Sequence, residues 1–419
     1  YTAGSDNLKN LGKITVGKNG IGIYAKNFSN GDSATLPNST IEVGENGIGV
    51  YTESGNGHLE SGSIKAGKDG VGVYVAGNGG TITAANTFNM TLGDGSSDAD
   101  KGAFGFVNVG SNNKIYSDIS NVTLQNNSIY IYSKDTSGTS ANPQIINNTN
   151  ITATGKNNYG IYSAGYTVNN GNMNLSAGTG NVGVYSVNGG TIENISGAIT
   201  VGGSVPVNDE YGIGMAAGYT WTKKDLLKPV SQRPVQTTGN IINRGTINVN
   251  GQYSLGMYAS GNGSTAKNYG TINLSGKNTT GMYLDQNAVG ENYGTITTVP
   301  NSTNDGIKGV VALNGAIFKN YGNITINSPN GIGYYYVNTQ TYENHGGSIT
   351  VSGANAKETE TATQNDTGKG VKGIKIVAPG AGVTTATVIR EGKTVIPVPI
   401  DTTIASPAAT TVTVGSTTL

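Results

Sequence analysis

One phrase returns along the whole chain: glycine, apolar, glycine, apolar, tyrosine, small. It reads Gly20-Ile21-Gly22-Ile23-Tyr24-Ala25, then Gly47-Ile48-Gly49-Val50-Tyr51-Thr52, then Gly70-Val71-Gly72-Val73-Tyr74-Val75. Looser copies end at Tyr162, Tyr185, Tyr258, Tyr283 and Tyr335. A self-similar unit decides the architecture before any single element does. A second phrase, Asn-x-Gly-x-apolar-x-apolar, precedes the first. Clear copies start at Asn10, Asn243, Asn268 and Asn320.

The first apolar residue of the second phrase serves as a register mark. It falls at Ile14, Ile41, Ile64, Met90, Val122, Ile151, Met173, Ile199, Ile247, Ile272, Ile296, Ile324 and Ile349. Most steps lie near 25 residues, and the step of 48 from Ile199 to Ile247 is one repeat plus inserted sequence. Within each phrase apolar residues alternate with a period of two, so these are strands. Each unit therefore predicts strand A (Asn-x-Gly-x-Ile-x-Val), strand B (Gly-Ile-Gly-Val-Tyr) and a short strand C just before the next asparagine. A unit of this size buries its apolar face only against copies of itself. The expected fold is all-β: a right-handed parallel β-helix of about 13 three-strand rungs with loop insertions. At roughly 4.8 Å per rung it would be on the order of 60 Å long.

Alternation places Ile, Val and Leu inside and sends the strand-B tyrosines outward; a bend beside Gly22 is the alternative that would turn them in. The recurring asparagine is expected to stack into a hydrogen-bonded ladder.

Composition agrees with a solenoid. Gly accounts for 66 of 419 residues, charged residues for 12%, and cysteine is absent. Disulfides and thiolate metal sites are thereby excluded. A formal net charge of +0 argues against electrostatic capture of nucleic acid or anionic lipid. No apolar run reaches the length of a membrane-spanning helix. The chain opens on Tyr1, which reads as a fragment of a longer protein with further rungs or a cap upstream.

Residues 1–374 read as the stem and 375–419 as a non-repeat β tail. In the tail, Val388–Pro397 has the pattern of a hairpin with a Glu-Gly-Lys turn. It is either a cap on the open solenoid end or the start of a further module. Insertions are expected from the A-to-B corner at 93–101, 202–210, 299–306 and 352–369. From the B-to-C corner they are expected at 27–38, 133–143 and 217–239. The rung begun at Ile199 carries two.

Insertions on a rigid scaffold are where binding concentrates. The 217–239 loop holds the single tryptophan of the chain. Its candidate ligand-binding residues are Tyr219, Trp221, Lys223, Lys224, Lys228 and Arg233, with Asp225 the one acid. Trp, Tyr and Arg dominate interface hot spots. Thr222 is placed to cap a short helix ended by Pro229. The plainer alternative folds Trp221, Leu226 and Leu227 back on the stem and leaves the lysines solvated.

Catalytic signals are weak. Glycoside hydrolysis needs two carboxylates roughly 5–10 Å apart, but strand positions carry Asn, Thr, Ser and Gly. His58 and His345 lie far apart and read as structural. The acidic turn 94–100 lacks the closing glutamate of a calcium loop. Neither a cofactor nor a metal is expected, and the chain reads as a non-enzyme.

The phrases Asn268-Tyr269-Gly270-Thr271-Ile272-Asn273-Leu274 and Gly281-Met282-Tyr283 resemble the passenger regions of large type V autotransporter adhesins of fusobacteria. The resemblance covers residues 8–374. It implies a surface-displayed passenger anchored in the outer membrane through a β-barrel not present in this chain. Its expected partners are a host-cell receptor protein or glycan, or other bacteria. A purely structural stalk and a carbohydrate-active β-helix enzyme are the rival readings.

Overall fold

The computed structural model describes residues 2–362, apart from 33–38, 54, 98–101, 209, 222–225, 234, 300–303 and 338–341. It also describes the strand segments 385–390, 394–399, 413–414 and 417–418. The fold is a parallel β-solenoid of about 13 turns. Contacts divide the chain into two compact units, 1–171 with 379–419 and 172–378.

In the first unit, strand A recurs at Lys13–Val16, Thr40–Val43, Gly62–Ala66, Phe88–Leu92, Asn121–Leu124 and Asn150–Ala153. The register marks are direct partners: Ile14 opposite Ile41, Ile41 opposite Ile64, Ile64 opposite Met90, and Val122 opposite Ile151. This column divides between Leu92 and Asn121 into separate sheets, and there the Leu92 carbonyl accepts from Gln125 Nε2 (3.3 Å). In the second unit the column runs from Met173 through Ile199, Ile247, Ile272, Ile296 and Ile324 to Ile349 without a slip at any mark. A one-residue slip would turn every isoleucine outward, so the buried face holds the register.

Strand A behaves as alternation requires: Ile272 and Leu274 are fully buried, and Thr271 and Asn273 are half-exposed. Strand B does not. In Ile48–Thr52 and Val71–Val75 every position is buried. The expected outward tyrosine row is therefore corrected. Tyr51, Tyr74 and Tyr185 are fully buried, and Tyr24, Tyr258 and Tyr283 nearly so. Strand-B pairing is recorded for Ile21 with Ile48, Ile23 with Val50 and Tyr24 with Tyr51, leaving out the intervening glycines. A Cβ on Gly22 would lie 2.4 Å from Ile41 Cγ2 and 2.6 Å from the Gly49 carbonyl oxygen. The backbone comes that close to strand A only because nothing protrudes there. The buried rings stack, Tyr24 on Tyr51 at 5.0 Å and Tyr51 on Tyr74 at 5.2 Å.

Tyr130 is one residue that replaces glycine in this slot; Glu358, opposite Gly333, is another. It lies between Ile129 and Ile131, which pair with Phe104 and Phe106 on either side of Gly105. A Cβ on Gly105 would fall 2.6 Å from the Tyr130 ring. The phenol bonds Ser117 Oγ (2.6 Å) and Thr149 Oγ1 (3.2 Å), and burial pushes it up to about 12.

The asparagine ladder forms. In the second unit Asn194 donates to Asn243 (3.0 Å), Asn243 to Asn268 (2.9 Å), Asn268 to Asn292 (2.9 Å) and Asn292 to Asn320 (3.1 Å). All five are fully buried. In the first unit Asn10 donates to Asn30, and Asn147 to Asn169. Between those pairs the slot holds Leu59, Ala84 and Ser117, so the ladder lapses where no amide is available.

Two insertions are corrected. Strands B and C of the first rung run on as one strand, Ile21–Asn30, and Phe28 pairs with Gly57. The extra residues of 27–38 therefore follow strand C instead of preceding it. Of the proposed insertion at 352–369, 363–369 lie outside the described residues, the residues up to 356 form a short turn, and Lys357–Ala362 is the next strand B, with Ile332 opposite Lys357. Its Lys-Glu-Thr-Glu-Thr sequence carries no apolar period, and backbone pairing alone makes it a strand. In the tail, Thr385–Arg390 pairs antiparallel with Thr394–Pro399, Arg390 opposite Thr394, as the hairpin reading has it. The rest of the cap-or-module question lies outside the described residues.

The A-to-B turns carry left-handed Asn19, Asn46, Asn127, Asn157, Asn278, Asn330 and Asn355, with Asp69 in the same role. Tyr253 holds that conformation too, at φ 58°. A bulky side chain is strained there, whereas Asn adopts the region readily. Tyr253→Asn is expected to stabilise the fold by about 1 kcal/mol. The check is the urea midpoint; an unchanged or lower midpoint would show that the ring contributes packing that offsets the strain.

Candidate functional site

The 217–239 loop leaves strand B at Ile213–Ala217 and returns into strand C at Asn240–Asn243. Its neck is closed by an antiparallel bridge. Tyr219 N–H donates to the Thr237 carbonyl (2.7 Å) and Thr237 N–H to that of Tyr219 (3.0 Å). Beyond the neck, the Arg233 guanidinium lies 5.0 Å from the Trp221 ring centroid. It also donates to the carbonyls of Lys228 and Leu226, both at 3.0 Å. A planar fork that stacks and donates at once stiffens a loop lacking regular structure.

The six candidate residues therefore separate. Trp221 and Arg233 come together. Lys228 is half-buried beside them, joined through its carbonyl. Tyr219, at 2% exposure, anchors the neck through its backbone and is also among the residues lining the cleft below. Lys223 and Lys224 lie outside the described residues, as does Thr222 with its proposed cap. Pro229 precedes a short 3-10 turn, Val230–Gln232. The folded-back alternative also fails for the leucines. Leu226 is 52% exposed and Leu227 87%, and Val230 and Val235 exceed 70%. Among the described residues of the loop, four apolar side chains are thus exposed beside the Trp221–Arg233 brace.

Below the neck, successive B-to-C corners line an open cleft of about 540 Å³. The side-chain amides of Asn188, Gln236, Asn262, Gln286 and Asn287 and the Thr220 hydroxyl give it a neutral lining that both donates and accepts. Asn188, Gln286 and Asn287 take left-handed φ values of 53°, 51° and 63°. These residues were missed in the sequence because each looks like ordinary turn filler. Only stacking makes a surface of them; the 25-residue interval from Asn262 to Asn287 is the trace it leaves.

Beside the cleft, Asp285 Oδ1 accepts from Asn314 Nδ2 (2.6 Å) and from the Gln286 N–H (2.9 Å). Burial next to Tyr258 and Tyr283 pushes its carboxyl up to about 6. A carboxyl raised by folding binds its proton more tightly in the native state. Its stabilising effect is full below about pH 4 and is lost as pH rises through 6. Asp285→Asn keeps an Oδ1 for both donors and carries no charge. The variant is expected to be more stable than wild type by about 1–2 kcal/mol at pH 7, allowing for partial solvation. The gap should close below pH 4. Urea midpoints at pH 3.5 and 7 check this, and an equal gap at both would refute it.

The second insertion of this rung is pinned to the stem. Val205 and Glu210 bridge across it, and Ser204 Oγ donates to the Tyr253 carbonyl (3.0 Å). Its Val207 is 88% exposed. Elsewhere, Asp94 Oδ1 accepts from the backbone and side-chain amides of Asn126, both at 2.9 Å. His58 Nδ1 meets Thr83 Oγ1 at 2.9 Å, and His345 Nε2 meets Glu343 Oε2 at 2.9 Å. Among the described residues no group of three or more acids and histidines converges on a metal-sized space. No helix is long and apolar enough to cross a membrane among them.

These features define a parallel β-solenoid with one braced loop over a neutral cleft. Residues 29–294, more than half of the chain, match the model of the BigA third pectate lyase-like domain, and the chain belongs to that family. Comparison with curated proteins returns no match. Membership fits a bacterial surface protein built on a β-helix.

Proposed function

We propose that the chain is a passenger segment of a surface-displayed adhesin of the autotransporter kind, with the 217–239 loop and the cleft beneath it as its contact site. The observation that carries this is the exposure of Leu226, Leu227 and Val230 on a loop held rigid by Arg233 and Trp221. Large apolar side chains presented on a braced scaffold suit burial against a partner. The partner is a host-cell receptor protein, a host glycan or another bacterium, and neither nucleic acid nor a cofactor has a part. A protein partner needs on the order of 1,200 Å² of buried surface, which the exposed apolar side chains supply only together with the cleft rim. The β-helix serves as a non-catalytic scaffold. Two outward glutamates of strand C, Glu291 and Glu343, face Lys267 and Lys319 as ion pairs, an arrangement suited to stability rather than acid–base work.

The test is binding of the purified chain to epithelial cells, immune cells and partner bacteria. A version with 219–238 replaced by a short Gly-Ser turn is run beside it, with circular dichroism confirming β content in both. Binding by the intact chain and its loss in the replacement is the expected result. Equal binding by both would move the site elsewhere, and no binding by the intact chain would favour the stalk reading.

A further inference from the structure

The residue that follows the asparagine closing each strand C forms an exposed stripe in the second unit. Rung by rung it holds Ile195, Arg244, Tyr269, Tyr293, Tyr321 and His345. Arg244 lies 4.6 Å from the Tyr269 ring centroid. Tyr269, Tyr293, Tyr321 and His345 then stack at 4.7, 4.5 and 4.6 Å, within 14° of parallel. The tyrosines are 40, 38 and 37% exposed, unlike the buried rings of strand B. Beside the stripe, strand C carries a second row in lateral register: the buried Glu193, then Ile242, Lys267, Glu291, Lys319 and Glu343, with Lys267 paired to Glu291 (2.9 Å) and Lys319 to Glu343 (3.5 Å) within the chain.

Three properties select the occupant. The ring faces cover one another, so the stripe offers only edges, and sugars stack on faces. An extended peptide repeats at about 3.4 Å per residue and falls out of step with the rungs. A second solenoid of the same sequence has the same rise and stays in step. The charges supply the third property. With two copies antiparallel about a two-fold axis across the stripe, the charged rows face each other with rung order reversed. One register sets Lys267 against Glu343 of the second copy and Glu291 against Lys319. The same register sets Tyr269 against His345 and Tyr293 against Tyr321. Sliding by one rung puts Lys267 opposite Lys319 in one sense, and Glu291 opposite Glu343 in the other.

We propose that this stripe is a self-association surface that takes a second copy of the chain in antiparallel orientation. It is separate from the loop site, and neither depends on the other. Four overlapping rungs span about 19 Å, a narrow strip that falls short of the ~800 Å² per partner of a stable interface. A single pair is therefore weak, and association emerges where many copies are displayed together.

Beads coated with the full chain test it. Wild-type beads are expected to agglutinate. Lys267→Glu with Lys319→Glu makes the charged row wholly acidic from Lys267 to Glu343, and Glu291→Lys with Glu343→Lys makes it wholly basic. Each alone should lose about tenfold or more in agglutination, and mixing the two should restore it. Register is read by cross-linking, since the chain has no native cysteine. Tyr269→Cys mixed with His345→Cys should form a disulfide dimer under mild oxidation, and neither alone should. Circular dichroism verifies folding of every variant. Dispersed wild-type beads, or Tyr269→Cys linking to itself as readily as to His345→Cys, would overturn the proposal. Cell binding without agglutination would defeat it while leaving the adhesin reading intact.

Discussion

Asn268→Leu is expected to lower stability by about 3–5 kcal/mol, although it hardly changes side-chain volume. Asn268 accepts from Asn243 Nδ2 and donates to Asn292 Oδ1 (2.9 Å each), and also reaches the Gly270 carbonyl (3.3 Å). Leucine removes all three partners at once. One N–H of Asn243 Nδ2, whose remaining bond is to the Gly245 carbonyl (3.2 Å), and the Asn292 acceptor stay buried, and each unmet group costs about 1–3 kcal/mol. The apolar atoms gained do not offset this, because they would lie among amides. A long repeat array need not unfold in one step, so the best readout is local. Amide exchange in Thr246–Val249, Thr271–Leu274 and Thr295–Thr298 should accelerate first, together with a lower urea midpoint. A loss below about 1 kcal/mol would mean the ladder amides find other partners.

Gly281→Val should be nearly as damaging for a different reason. A Cβ on Gly281 would lie 2.5 Å from the Gly309 carbonyl oxygen and 2.6 Å from Ile296 Cγ2. The first atom is backbone in the next rung, so the clash does not resolve by a rotamer change. Overpacking typically costs about 1–3 kcal/mol and occasionally more; two rigid neighbours place this substitution at the upper end. Gly281→Ala should show most of the effect, since the Cβ itself makes the contact. Thermal unfolding of both variants checks the claim. If alanine is tolerated, strands A and B are less tightly apposed at this slot than the 2.5 Å approach implies.

These two sites show how unevenly the molecule was legible. The period near 25 and the recurring Asn-x-Gly determined the solenoid, its strand-A register and its ladder. Each rests on a repeated local pattern that has one stable solution when stacked. Ile272 had to face inward because its alternating neighbours are Thr271 and Asn273. The hairpin at 385–399 and the loop at 217–239 were legible by composition.

Other features depended on contacts between rungs. In Ile48–Thr52 and Val71–Val75 strand B buries every position, so alternation carried no information about Tyr51 or Tyr74. The strand at Lys357–Ala362 has no apolar period, and pairing with Ile332–Val337 alone makes it one. Tyr219 looked like an interface residue by type, but the bridge to Thr237 buried it. Asn262 and Asn287 looked like turn residues until stacking set them along one cleft. The exposed stripe from Ile195 to His345 is spread through the chain at rung intervals, and only the solenoid makes it continuous. What repeats is legible along the chain, because repetition is a property of residue order. What each repeated position faces emerges only on stacking, because burial depends on the rung above and the rung below.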